Sequence, residues 1–77
     1  MDPQLREVIG DILGLDPSEV TAELSRETAD NWDSLNHLRI ITAVETTFSI
    51  TLTMAEIEAS TSAAALSELV TAKTAPG

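Results

Sequence analysis

A chain of 77 residues without a cysteine has to hold its fold together with one hydrophobic core, because disulfides and thiolate metal sites are not available to it. A domain near this size buries about 60% of the surface that its unfolded chain exposes, so we expect a free energy of unfolding of about 5 kcal/mol. The apolar share of 43% suffices for such a core. We therefore predict a single domain over residues 1–77, with little room for a deep catalytic pocket.

The N-terminal segment has a clear helical pattern. Asp2 is a favourable N-cap, and Pro3 suits the first helical position, where its missing N–H is not needed. Gly14 is placed to end the helix in the left-handed conformation. Between them, apolar residues recur with the spacing of one helix face, at Leu5, Val8, Ile9, Ile12 and Leu13. The sequence therefore predicts an amphipathic first helix.

A long connection, residues 15–32, follows this helix. Asp16, Pro17 and Ser18 favour a turn, and one short helical turn is expected at Ser18-Glu19. Three spaced apolar residues are expected to anchor the loop on the core: Leu15, Val20 and Leu24. Loops of this length are uncommon in small domains and are often functional or well packed.

A second amphipathic helix is predicted from Asp33-Ser34 to about Phe48. Its expected core face consists of Leu38, Ile41, Val44 and Phe48, with Ile40 at the border. The opposite face is expected to carry Leu35, Asn36, Arg39, Thr42, Ala43 and Thr46. A leucine is therefore predicted to lie exposed beside the serine at the start of this helix.

Residues 49–53 alternate and are β-branched, a pattern that favours a strand. The chain offers no second strand to pair with, and a lone strand leaves its backbone groups unsatisfied. We therefore predict an extended connector with Ile50 and Leu52 directed inward.

The C-terminal part is predicted to hold two more helices. Thr53 is expected to cap a short helix from Met54 to about Ala59, with Glu56 completing a capping box. Thr61 or Ser62 opens a last helix whose apolar residues are Ala65, Leu66, Leu69 and Val70. Residues 71–77 are expected to fray. The fold class is all-α, a small four-helix bundle of three longer helices and one short helix.

The charge balance excludes some classes of partner. Thirteen Asp and Glu against four Lys and Arg give a net charge of −9, which repels nucleic-acid phosphates and anionic membranes and favours basic partners. Acidity that merely aids solubility is an equal alternative. The chain lacks a signal-peptide pattern and an apolar run of about 18 residues, so we expect a cytoplasmic monomer that binds neither nucleic acid nor membrane.

Three simple interpretations of the region around Ser34 have to be weighed. Asp30, Asn31 and Asp33 are candidate metal ligands, but the glycine and late glutamate of a calcium loop are not in register. Ser34 and His37 are neighbours on a helix surface, yet a hydrolase also needs an orienting acid, an oxyanion hole and a cleft. Asp33 or Ser34 as a plain helix cap, worth about 1 kcal/mol, is the third interpretation.

The whole constellation resembles the acyl carrier protein family, which includes the peptidyl and aminoacyl carrier domains. The resemblance rests on Asp33-Ser34-Leu35 followed by an amphipathic helix, and on the exit Phe48-x-Ile50-x-Leu52. It extends to the layout of a first helix, a long loop, a serine at the head of the second helix, a short third and a closing fourth helix. It covers nearly the whole chain.

The resemblance implies a function and a set of residue roles. Ser34 is the residue that a phosphopantetheinyl transferase would esterify with 4′-phosphopantetheine from coenzyme A, and Asp33 would present it. Leu35 would be the hydrophobic contact for partner enzymes, with Asn36, Arg39 and Thr42 beside it. The chain would be a carrier and not an enzyme, delivering acyl or aminoacyl thioesters between loading and acyl-using enzymes.

The sequence departs from the family pattern on the exposed face of the second helix. Fatty-acid carriers typically show a strongly acidic face there, whereas Asn36, Arg39 and Thr46 occupy such positions here, and Arg39 reverses the expected sign. This difference favours a specialised carrier with its own partners. The alternative function is a non-catalytic acidic interaction module in which Ser34 is only a helix cap.

Overall fold

The computed structural model describes residues 1–75 of the chain. Helix α1 spans Pro3–Leu13; the Asp2 carboxylate accepts the N–H of Gln4 at 2.7 Å, and Gly14 ends the helix at φ 72° in the left-handed region. The apolar stripe faces inward, with Leu5 and Ile9 fully buried. The predictions for this helix are confirmed because both of its ends are specified by local chemistry.

The long loop packs on the core at its apolar residues, as predicted. A 3-10 turn spans Pro17–Glu19, capped by Asp16. Val20 is fully buried, while Leu15 and Leu24 are partly buried against the core cluster. The loop is therefore held in place by apolar contacts as well as by its turns.

Gly10 allows the start of this loop to lie directly against α1. The Leu15 N–H donates to the Gly10 carbonyl at 2.8 Å. A Cβ on residue 10 would lie 2.6 Å from the Leu15 carbonyl oxygen, which is closer than real Cβ atoms approach backbone. The absence of a side chain at this position is therefore a packing requirement.

We expect Gly10→Ala to destabilise the protein by about 1–3 kcal/mol, the usual cost of overpacking. The direction of this change in stability is informative because glycine-to-alanine changes inside helices ordinarily stabilise a protein by roughly 0.5–1 kcal/mol. Urea denaturation followed by circular dichroism measures the difference, with Glu7→Ala on the exposed side of α1 as a control near zero. A Gly10→Ala variant as stable as the parent chain would contradict this packing.

Helix α2 spans Ser34–Phe48, as predicted, but its buried face is rotated from the expected one. Leu38, which we placed in the core, is 56% exposed, whereas Ile40, which we placed at the border, is fully buried. The buried stripe is His37, Ile40, Ile41 and Val44. These four residues have the i, i+3, i+4, i+7 spacing of one helix face. Counting apolar residues puts Leu38 on this face, but the polar His37 is the residue buried there.

The C-terminal elements follow the predicted order. Residues 50–53 form an extended connector in which Leu52 is buried. Helix α3 spans Met54–Ala59 with the capping box of Thr53 and Glu56 in place. Helix α4 spans Ala63–Thr74, and Ser62 is its cap.

The described chain is thus a helical bundle, and no strand occurs in residues 1–75. Within the same residues, no helix is both long and apolar enough to cross a membrane. Helix α4 continues to Thr74, past the point where fraying was expected to begin. Fraying of the last residues stays a prediction, and Pro76 and Gly77 lie outside the described residues.

The long loop is joined to the α3–α4 connection by backbone hydrogen bonds. The Arg26 N–H donates to the Thr61 carbonyl at 3.0 Å, and the Ala63 N–H donates to the Leu24 carbonyl at 2.9 Å. Ser25 and Ser62 form an isolated antiparallel bridge between them. We call this pairing of residues 24–26 with residues 61–63 the loop clasp; it fixes the backbone at residue 26.

Glu56 links α3 to the end of α4. Its carboxylate accepts the Thr53 N–H at 2.9 Å and lies 3.0 Å from the Lys73 ammonium. The hydrogen bond from the Thr53 backbone, and then the pairing with Lys73, hold the pKa of Glu56 below its usual 4.5. The ionised form is therefore favoured in the folded state.

We expect the contribution of the ionised Glu56 carboxylate to the free energy of unfolding to be present above pH 4.5 and to disappear as the pH falls through the lowered pKa. Glu56→Gln keeps an acceptor for the capping box but removes the charge. Its melting temperature should therefore lie below that of the parent chain at neutral pH and approach it in strong acid. Glu7→Gln controls for the change in net charge; a difference that persists in acid would contradict this assignment.

Candidate functional site

Ser34 is the first residue of α2, and its side chain is exposed. The residue before it, Asp33, is the N-cap: its carboxylate accepts the Asn36 N–H at 2.8 Å. The hypothesis that Ser34 itself is the helix cap is therefore wrong, because Asp33 already fills that position. The Ser34 hydroxyl is left free for a different role at a helix start where backbone N–H groups favour negative charge.

A guanidinium group from the long loop reaches the Ser34 hydroxyl. Arg26 Nη2 donates to Ser34 Oγ at 3.3 Å. Among residues 1–75, Lys73 and Glu56 are the one pair of a cationic and a carboxylate group within 4.0 Å of each other. No carboxylate of these residues therefore lies within 4.0 Å of the Arg26 guanidinium. One of the four cationic side chains of an acidic chain thus lies next to the candidate serine without a salt-bridge partner among the described residues.

His37 does not act on Ser34, because both of its ring nitrogens are engaged elsewhere. Trp32 Nε1 donates to His37 Nδ1 at 3.1 Å, so the proton of the neutral ring lies on Nε2, which is 2.8 Å from the Ile57 carbonyl oxygen. His37 is 5% exposed and Trp32 2%. This geometry gives both residues a structural role and removes the base that a serine hydrolase would need.

In the acidic stretch before α2, residues 30–33, Asn31 and Asp33 have structural roles. The Asn31 side chain donates to the Leu13 carbonyl at 2.7 Å, and Asp33 is occupied as the cap. Asp30 is exposed. Within the described part of the chain, no three histidine or acidic residues are grouped closely enough to hold a metal ion.

A groove next to Ser34 runs between the loop, α2 and α3. Two of its apolar side chains are unusually exposed, Leu38 at 56% and Met54 at 69%. The groove is lined by Arg26, Ser34, His37, Leu38, Met54, Ile57, Glu58 and Thr61. A group attached to the Ser34 oxygen would therefore lie beside both a cation and an apolar surface.

The residues that we predicted as partner contacts are only partly brought together. Leu35, which is 59% exposed, shares a shallow groove on α2 with Arg39 and Thr42, together with Leu38 and Ala43. Asn36 is not part of this groove; its side-chain amide donates to the Asn31 carbonyl at 2.8 Å and ties the end of the loop to the helix. Thr42 Oγ1 donates to the Leu38 carbonyl at 3.0 Å.

Two members of the site were missed by sequence reasoning. Leu38 was missed because counting apolar residues places it in the buried stripe, where the structure has His37 instead. Arg26 carried no local signal, because its proximity to Ser34 depends on the loop clasp.

One comparison with known families bears on this site. The phosphopantetheine attachment site family matches residues 3–70, which is most of the chain. No curated protein matches the chain in sequence. The matched range includes all of α1, α2 and α3, the loop with Arg26, and Ser34.

Proposed function

Since the chain belongs to the phosphopantetheine attachment site family, we propose that it carries an acyl or aminoacyl group as a thioester on a 4′-phosphopantetheine arm attached to Ser34. Membership of this family supports a protein that carries covalently attached phosphopantetheine. The attachment residue, the cargo and the use in fatty-acid-like, polyketide or nonribosomal-peptide-type biosynthesis are parts of the proposal.

The observation that carries the proposal is the exposed Ser34 hydroxyl at the start of a 15-residue helix. The surroundings fit a phosphodiester: Arg26 Nη2 already donates to Ser34 Oγ at 3.3 Å, and the helix start favours an anion by roughly 0.3–1 kcal/mol at an exposed site. Asp33 is the one acidic residue adjacent to it in sequence, and its carboxylate is engaged with the Asn36 N–H.

The residues of this chain act as acceptor and as docking surface. Ser34 Oγ forms the new P–O bond, the pyrophosphate bond of coenzyme A breaks, and its adenosine bisphosphate part leaves; the hydroxyl proton goes to a base of the transferase. Asp33 fixes the first turn of α2 and so holds Ser34 at the surface. Leu35, Arg39 and Thr42 form the groove that partner enzymes are proposed to contact.

The attached arm would supply a terminal thiol, which this sequence without cysteine does not have. Catalysis is left to partners: the transferase, an enzyme that loads the thiol and enzymes that use the thioester. We expect a cytoplasmic monomer that binds neither nucleic acid nor membrane, in keeping with a net charge of −9.

The test is incubation of the chain with coenzyme A and a broad-specificity phosphopantetheinyl transferase, followed by mass spectrometry. We expect a mass gain of one phosphopantetheinyl group per chain, located by peptide mapping on the segment that contains Ser34. No gain, with a known carrier modified in parallel by the same transferase, would overturn the proposal and favour the acidic interaction module.

A further inference from the structure

Arg26 is held at the attachment site by backbone contacts that do not involve its own side chain. Its N–H donates to the Thr61 carbonyl at 3.0 Å, within the loop clasp. The Ser25 N–H, one residue earlier, donates to Thr28 Oγ1 at 2.9 Å. The backbone from which the guanidinium extends is therefore fixed independently of Ser34.

This guanidinium forms no salt bridge within the described chain. Glu58 lines the same groove, yet neither it nor any other carboxylate of residues 1–75 lies within 4.0 Å of Arg26. The polar contact made by the side chain is the one with Ser34 Oγ, at 3.3 Å. A neutral hydroxyl is a weak partner for a guanidinium, whereas a phosphate oxygen is a strong one.

We infer that Arg26 is a positioning residue for the attached arm: its guanidinium would bind the phosphodiester formed on Ser34 Oγ and so restrain the first bonds of the arm. This inference rests on the proposed function, since it requires modification of Ser34. It assigns to Arg26 the task of offsetting one more negative charge on a chain that already carries −9.

The test compares apo and modified protein for the parent chain, Arg26→Gln and Arg26→Lys. The matched control is Gln4→Glu, which makes the net charge more negative by the same one unit at an exposed residue of α1 outside both grooves. For each protein, the change in melting temperature upon modification is measured at low and at high salt.

We expect the change upon modification to be lower by about 1–5 °C in Arg26→Gln than in the parent chain at low salt, the shift that an exposed charge pair produces in a domain of this size. Arg26→Lys should retain part of the effect, and Gln4→Glu should behave like the parent chain. High salt should reduce the difference. The ³¹P resonance of the modified protein should move in Arg26→Gln and stay in place in Gln4→Glu.

Equal changes in melting temperature for the parent chain and Arg26→Gln, with an unmoved ³¹P resonance, would overturn the role of Arg26. An effect of the same size in Gln4→Glu would also overturn it, because the result would then reflect net charge. Failure of the proposed function gives a different result, since no modified protein would form from any of the variants.

Discussion

Replacing Ser34 with alanine is expected to abolish the mass gain from coenzyme A completely, because the chain then lacks the oxygen that forms the phosphate ester. The loss should occur without loss of structure. Ser34 is exposed and is not the helix cap, so the free energy of unfolding should change by at most about 0.5 kcal/mol. Intact-mass spectrometry and circular dichroism on the same sample measure both quantities.

Ser18→Ala is the matched control for this experiment. Ser18 is also an exposed serine at the start of a helical turn beside an acidic residue, and its hydroxyl donates to the Asp16 carboxylate at 2.8 Å. This variant should be modified as fully as the parent chain. Modification of Ser34→Ala, or equal loss in Ser18→Ala, would show that the attachment residue is misassigned.

Removal of the Trp32 side chain is expected to have the largest effect on stability. Trp32 is 2% exposed, and truncation of a buried aromatic residue to alanine costs about 3–5 kcal/mol. For a chain of 77 residues we expect a free energy of unfolding of about 5 kcal/mol, at the low end of the usual range for domains. Trp32→Ala should therefore leave a substantial unfolded population or unfold the protein.

Trp32→Phe separates the hydrogen bond from the packing. The phenyl ring keeps most of the apolar volume but cannot donate to His37 Nδ1, which is then left buried without its partner. An unsatisfied buried group costs about 1–3 kcal/mol. Urea denaturation followed by circular dichroism is suitable because the variants lack the tryptophan fluorophore; Leu35→Ala, at an exposed position, should change stability by less than about 0.5 kcal/mol. A cost for Trp32→Phe no larger than that of Leu35→Ala would contradict the assigned role of the pair.

The helix boundaries could be predicted from the sequence because capping is local. Asp2, Asp33 and Thr53 each accept a backbone N–H two or three residues further on, so their effect is decided within one turn of chain. Gly14 ends α1 in the left-handed conformation for an equally local reason. Two caps have two sequence candidates each, and the structure has Asp33 and not Ser34 at α2, and Ser62 and not Thr61 at α4.

The composition of the buried face of α2 could not be predicted in the same way. Counting apolar residues favours Leu38 over His37, yet His37 is buried because Trp32 and the Ile57 carbonyl satisfy both of its ring nitrogens. Those partners lie outside the helix. The contact between Arg26 and Ser34 was likewise beyond reach, because it depends on two segments far apart in sequence that pair in the loop clasp.

Helix α3 has only six residues, and none of them is fully buried. Its Ile57 is half-buried against the core cluster, and polar contacts add to this packing, among them the Ile57 carbonyl with His37 and Glu56 with Lys73. Segments with few buried apolar contacts open at lower free energy than the global transition. We therefore expect α3, which lines the groove beside Ser34, to open before α1, α2 and α4 separate, and this opening removes a hydrogen-bond partner from the buried His37.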